Sequence, residues 1–144
     1  MRRGRRDPKL ERLSQVELFS TCNKRELARI AALTVELEVP AGRVLMRQGE
    51  PAHECFVIEQ GTARATIRGR KASRMGPGES FGEMALVHTA PRSATVTAET
   101  EMRLLVLNSR EFSTLMADVP SVARKLLAVV AERLRNVERP QPHH

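Results

Sequence analysis

The chain has no tryptophan and no tyrosine, and its only aromatic residues are four phenylalanines among 144 positions. Stacking platforms for single-stranded nucleic acid, which need successive aromatic rings, are therefore poorly supplied. Only two cysteines occur, Cys22 and Cys55. That usage fits free buried thiols in a reducing compartment, not a disulfide framework. The longest apolar runs, Leu104–Leu107 and Leu126–Ala131, fall far short of the ~20 residues that cross a bilayer. The basic start, Met1-Arg2-Arg3-Gly4-Arg5-Arg6, lacks the apolar core that a signal peptide would place behind it. The chain is expected in the cytoplasm, without membrane insertion.

What is present is ordinary: 41% hydrophobic and 28% charged residues, the balance of a folded globular domain. At this length one domain can bury roughly two-thirds of its unfolded surface without disulfide or metal staples. The net charge is +7, but residues 1–9 hold Arg2, Arg3, Arg5, Arg6 and Lys9 against Asp7 alone, more than half of the surplus. Like-charged tails are usually solvated. The segment 1–9 is expected to be a disordered arm that touches phosphates at most non-specifically, so no specific nucleic-acid partner is expected.

Periodicity divides the rest. Leu10, Leu13, Val16, Leu18 and Phe19 recur at helical spacing as far as Ser20-Thr21. Asn23 then reads as an N-cap with Glu26 as its capping-box partner, opening a helix that turns Leu27, Ile30, Ala31 and Leu33 inward. At Val35 the period drops to two: Val35, Leu37 and Val39 alternate with Glu36 and Glu38. Short strands are expected at 43–47, 55–59, 63–68, 72–75, 94–98 and 103–107, punctuated by Gly, Pro and Asn. Phe112, Leu115 and Met116 mark one more helix, and Pro120 opens a last one with a stripe of Ala123, Leu126, Leu127, Val130, Leu134 and Val137. The expected fold is mainly β with flanking helices: an antiparallel β-roll of jelly-roll type over 34–108, helices over 10–33 and 109–138, and a tail over 139–144.

Familiar catalytic patterns are missing: there is no Gly-x-Ser-x-Gly, His-Glu-x-x-His or Cys-x-x-Cys. His53 and His88 stand alone, so no metal site is expected, and no catalytic residue is assigned. The informative stretch is 78–96. Gly82 allows close backbone approach. Glu83-Met84-Ala85-Leu86 can form one helical turn with unpaired N–H groups at its start. Pro91 stiffens the return of the chain, and Arg92 offers a planar fork matched to phosphate oxygens. A carboxylate beside such an arginine suits a ligand with an anionic end and hydroxyls to donate.

Phe81-Gly82-Glu83-x-Ala85-Leu86 followed by Pro91-Arg92-x-Ala94-Thr95-Val96 resembles the phosphate-binding cassette of cyclic nucleotide-binding domains, such as cyclic AMP-dependent kinase regulatory subunits and catabolite activator proteins. Further matching segments, among them Pro40-Ala41-Gly42, Arg47–Pro51 and Phe56-Val57-Ile58-x-x-Gly61, extend the resemblance over 10–138. It implies a ligand site of Phe81, Gly82, Glu83, Met84, Ala85, Arg92, Ser93 and Ala94. Arg92 would pair with the cyclic phosphate and Glu83 would accept from the ribose 2′-hydroxyl. The base would be capped from the last helix, with Leu127, Val130, Arg133 and Leu134 as candidates. Ser93 after the arginine favours cyclic AMP, with cyclic GMP as the alternative.

The chain ends six residues after Glu138, without the ~60 residues of a helix-turn-helix domain. The expectation is a stand-alone, non-catalytic sensor that needs no cofactor besides its ligand and signals to an effector protein. Two alternatives are a nucleotide-free interaction module, in which Glu83 and Arg92 pair with each other and the helix 121–138 forms a homodimer, and a fragment of a larger transcription regulator.

Overall fold

Alternation of apolar and polar residues governs the centre of the chain, and the computed structural model realises it as two antiparallel sheets; it describes residues 8–87 and 90–138. Sheet A runs β1 (Val35–Val39), β8 (Met102–Asn108), β3 (Glu54–Gln60) and β6 (Ser80–Phe81). Sheet B runs β2 (Val44–Met46), β7 (Thr95–Ala98), β4 (Ala63–Ile67) and β5 (Arg70–Met75). The expected β-roll with flanking helices is thus present. β6 was not foreseen, because two residues inside a glycine-rich segment carry no period. It forms because Phe81 and Ser80 pair with Phe56 and Val57.

The helices are α1 (Pro8–Ser14), α2 (Lys24–Leu33), α3 (Glu83–Val87), α4 (Ser109–Asp118) and α5 (Pro120–Glu138). The expected single helix up to Phe19 is broken: α1 ends at Ser14 and a 3-10 turn follows at Glu17–Phe19. The break lets the Glu17 N–H donate to the Gly78 carbonyl at 3.0 Å. α1 begins at Pro8, so Lys9, counted above with the arm, is helical; arm residues 1–7 and the tail 139–144 lie outside the described residues. Asn23 and Glu26 form the expected reciprocal cap. The Arg12 guanidinium bonds Glu59 at 2.9 Å, tying α1 to β3.

Two cores share sheet A. Between the sheets pack Phe56, Ile58, Ala63, Ala65, Phe81, Val96, Met102 and Leu104. On the other face Cys55, Val57, Leu105 and Leu107 meet the helices through Leu13, Phe19, Ile30, Leu115, Val122 and Leu126. β3 and β8 are buried on both faces, whereas edge strand β1 is not: Val39 is buried but Val35 is 68% exposed. The stripe of α5 also differs from its expected phase. Val122, Leu126 and Val129 are buried, while Leu127 is 68% exposed. Its sequence is apolar on more than one side, and packing on α4 and the 3-10 turn selects one of them. Among the described residues, no helix is long and apolar enough to cross a membrane.

Candidate functional site

The site is assembled where β6 ends. Phe81 stacks on Phe56 with ring centroids 4.9 Å apart, which fixes the approach to Gly82. Gly82 has φ +88°, a left-handed conformation that turns the chain directly into α3. A Cβ at this position would meet Nη1 of Arg92 at 2.8 Å. Glycine therefore serves both the turn and the space that Arg92 occupies.

Arg92 is fixed at both its main chain and its side chain. Its N–H donates to the Glu50 carbonyl at 2.9 Å, and its carbonyl accepts from the Gly49 N–H at 2.8 Å. The turn after β2 thus holds the backbone of the arginine. Nη1 donates to the Gly82 carbonyl at 3.1 Å, and Nη2 to the Glu54 carbonyl at 2.7 Å. The Glu54 carboxylate is 3.8 Å from Nη2. Arg92 is only 4% exposed and Glu83 not at all, an unusual burial for two charged side chains. Burial lowers the pKa of Arg92, with Glu54 opposing the shift; a guanidinium remains protonated throughout. The neighbouring Cys55 thiol is pushed up to about 12, first by burial and then by the Glu83 carboxylate.

Gly82, Glu83 and Arg92 line a cleft of about 790 Å³, within the range of small-molecule sites. Of the expected ligand residues, Phe81, Gly82, Glu83, Ala85, Arg92, Ser93 and Ala94 are brought together there. The side chain of Met84 lies outside the described set. Sheet B supplies an apolar wall of Met46, Ala65, Met75 and Val96, and β5 adds Ala72, Ser73 and Arg74. Sequence reasoning missed this wall, as it missed the Glu54 carbonyl that orients Arg92. Only the rolling of sheet B across the cassette joins residues so far apart in the chain.

The base-cap candidates are elsewhere. Leu127 faces solvent and Val130 packs against the helical core; neither lines the cleft, because α5 lies on the far side of sheet A. The side chains of Arg133 and Leu134 lie outside the described set. Cys22 and Cys55 are both free thiols; Cys55 is buried as expected, whereas Cys22 is only half-buried. Among the described residues no group of His, Cys, Asp and Glu is arranged to hold a metal; His88 lies outside them.

Comparison with known proteins gives one answer. A profile of the cyclic nucleotide-binding domain matches residues 36–119. A cyclic nucleotide-gated potassium channel of Mesorhizobium japonicum is 36% identical over 121 residues, which is 84% of this chain and 34% of the channel. A cAMP-dependent protein kinase regulatory subunit of Neurospora crassa is 32% identical over 124 residues, 85% of this chain and 32% of the subunit. This chain therefore spans about a third of the length of these relatives. Among solved structures, the catabolite activator protein of Thermus thermophilus aligns with a TM-score of 0.79 at 30% identity, over 85% of this chain and 60% of its own. The regulatory domain of Toxoplasma gondii PKA with cAMP aligns with a TM-score of 0.68 at 28% identity, over 77% of this chain and 46% of its own. With its cassette, its roll and its relatives in agreement, the chain belongs to the cyclic nucleotide-binding domain family.

Proposed function

We propose that this chain is a cyclic nucleotide sensor, with cyclic AMP its preferred ligand, and that it passes occupancy on through its C-terminal helices. The observation that carries the reading is the pair of buried charged side chains, Arg92 and Glu83, lining one cleft, with Gly82 immediately before the glutamate in sequence. A cyclic ribose phosphate matches that pair, with an anionic end for the guanidinium and a hydroxyl for the carboxylate. Arg92 takes the phosphate and Glu83 accepts from the 2′-hydroxyl. Backbone N–H groups at Gly82, Met84, Ala85 and Ser93 complete the cradle, while Phe81 and Ala94 shape its floor. No bond is made or broken, so the role is regulatory and not enzymatic.

Transmission follows from Leu86. It sits on α3, three residues after Glu83, and packs against the core that contains α4 and α5. Tightening of the phosphate end draws on α3, shifts Leu86, and favours a second packing of the terminal helices, which an effector protein reads. Since neither Leu127 nor Val130 lines the cleft, capping of the base from α5 belongs to that second state.

Isothermal titration with cyclic AMP and cyclic GMP tests the reading. Arg92→Ala is expected to weaken binding about ten- to a hundredfold, the worth of one charge-assisted hydrogen bond. Because this change strips donors from two carbonyls, Arg92→Lys is the companion variant: it keeps the charge but loses the fork. It is expected to melt close to wild type and still bind more weakly. Wild-type affinity in Arg92→Lys would remove the role given to Arg92. No binding of either nucleotide to the wild type at submillimolar concentration would leave the interaction-module reading, which the exposure of Leu127 on α5 favours.

A further inference from the structure

The charges that line the cleft cancel. Arg74 and Arg92 are balanced by Glu79 and Glu83, so the walls alone give a diffusing anion no net attraction. The missing surplus stands beside them. The hairpin β4–β5, residues 63–75, carries Arg64, Arg68, Arg70, Lys71 and Arg74 and not one acidic residue. β5 supplies Ala72, Ser73, Arg74 and Met75 to the cleft, and Lys71 and Arg70 are the next two residues along the same strand. At ~3.3 Å per residue, their backbones lie within about 7 Å of that wall. β5 is the last strand of its sheet, and residues 70–74 are exposed, so these cations reach water and not core.

The arrangement is not explained by stability. Arg64 pairs directly with Arg74 across the ladder, and like charges so placed are destabilising. Glu99 offsets part of this by accepting from Arg74 Nε at 2.7 Å. That hydrogen bond, chiefly, holds the Glu99 carboxyl below its ordinary range, with Lys71 and Arg64 contributing from nearby. Charged side chains protect a strand edge from pairing with another chain, but that role does not require Arg64 and Arg74 to stand opposite each other.

Resting on the sensor reading above, we propose that Arg64, Arg68, Arg70 and Lys71 form an electrostatic funnel that draws the anionic cyclic nucleotide to the cleft and sets its association rate. The funnel acts before contact. Its field reaches about 10 Å at 0.1 M salt and about 30 Å at 0.01 M, so its effect belongs to encounter and fades as salt rises.

Stopped-flow binding of cyclic AMP bearing a fluorophore on its base, to the full chain, is the test. The variant is Arg70→Gln/Lys71→Gln. The control is Lys24→Gln/Arg25→Gln, which removes the same charge from exposed positions on α2, in the helical layer. At ~0.01 M salt the hairpin variant is expected to associate about three- to tenfold more slowly, with an unchanged dissociation rate and no difference from wild type at ~1 M. The control is expected to match wild type. An unchanged association rate overturns the funnel, as does a loss confined to dissociation or an equal loss in the control. Absence of any wild-type binding overturns the sensor reading and the funnel together, whereas binding with an unchanged rate overturns the funnel alone.

Discussion

Gly82 and Gly42 share a left-handed backbone, at φ +88° and +91°, yet they stand in different company. A side chain at Gly42 would meet nothing within 4 Å, whereas one at Gly82 would collide with the Arg92 guanidinium. Alanine at either position carries backbone strain of about 1–2 kcal/mol. Only Gly82→Ala also displaces the arginine. It is therefore expected to lower both the melting temperature and cyclic AMP affinity, while Gly42→Ala lowers the melting temperature alone; calorimetric melting and titration of both variants check the contrast. Equal affinities would detach Gly82 from the site. Glu83 and Arg92 were legible in the sequence because each carries its chemistry in its own side chain, at a fixed distance from Gly82. The carbonyls of Glu54 and Gly82 that orient Arg92 were not, since every residue has a carbonyl and only folding decides which one is used.

Among the elements, α2 shows how local chemistry sets a boundary. Asn23 accepts from the Glu26 N–H and Glu26 accepts from the Asn23 N–H, both at 2.8 Å. Asn23→Ala is expected to cost about 1 kcal/mol in urea unfolding, with ligand affinity unchanged. A loss below a few tenths of that would mean the cap is redundant. Such a signal spans four residues and was readable directly. The strands β1, β3, β4, β7 and β8 were also readable to within a residue or two, because alternation and turn residues mark them locally. Less was visible where a distant partner decides. The two-residue strand β6 exists through its pairing with β3, and the phase of α5 is chosen by what it packs on. The bulge in β5, where Ala65 pairs with Ser73 and Thr66 with Lys71, likewise has no local signature. It leaves Ala72 as the extra residue, in the wall of the cleft.

Across the whole molecule the two cores depend on one sheet, and Cys55 lies in it as an internal probe. Its thiol faces the helical layer and is 3% exposed. A thiol must ionise to react, and this one resists ionisation up to about 12. In the unfolded chain it ionises near ~8.5. Between those values the unfolded state holds fewer protons than the folded state. The contribution to stability is therefore full below about pH 8.5 and declines as pH rises toward 12. Two results are expected. Thiol reagents at neutral pH should modify Cys22 first and Cys55 only at the global unfolding rate. The alkaline decline in stability should be shallower in Cys55→Ala than in wild type. Rapid labelling of Cys55 in the native state would show that the sheet opens locally.

Neighbouring residues on β3 answer to different masters. Phe56 and Ile58 belong to the layer that frames the cleft, Cys55 and Val57 to the layer that bears the terminal helices. Slippage by one residue would exchange the two sets and ruin both, so the register is locked from either side. A single strand thus carries both the frame of the recognition cleft and the seat of the terminal helices.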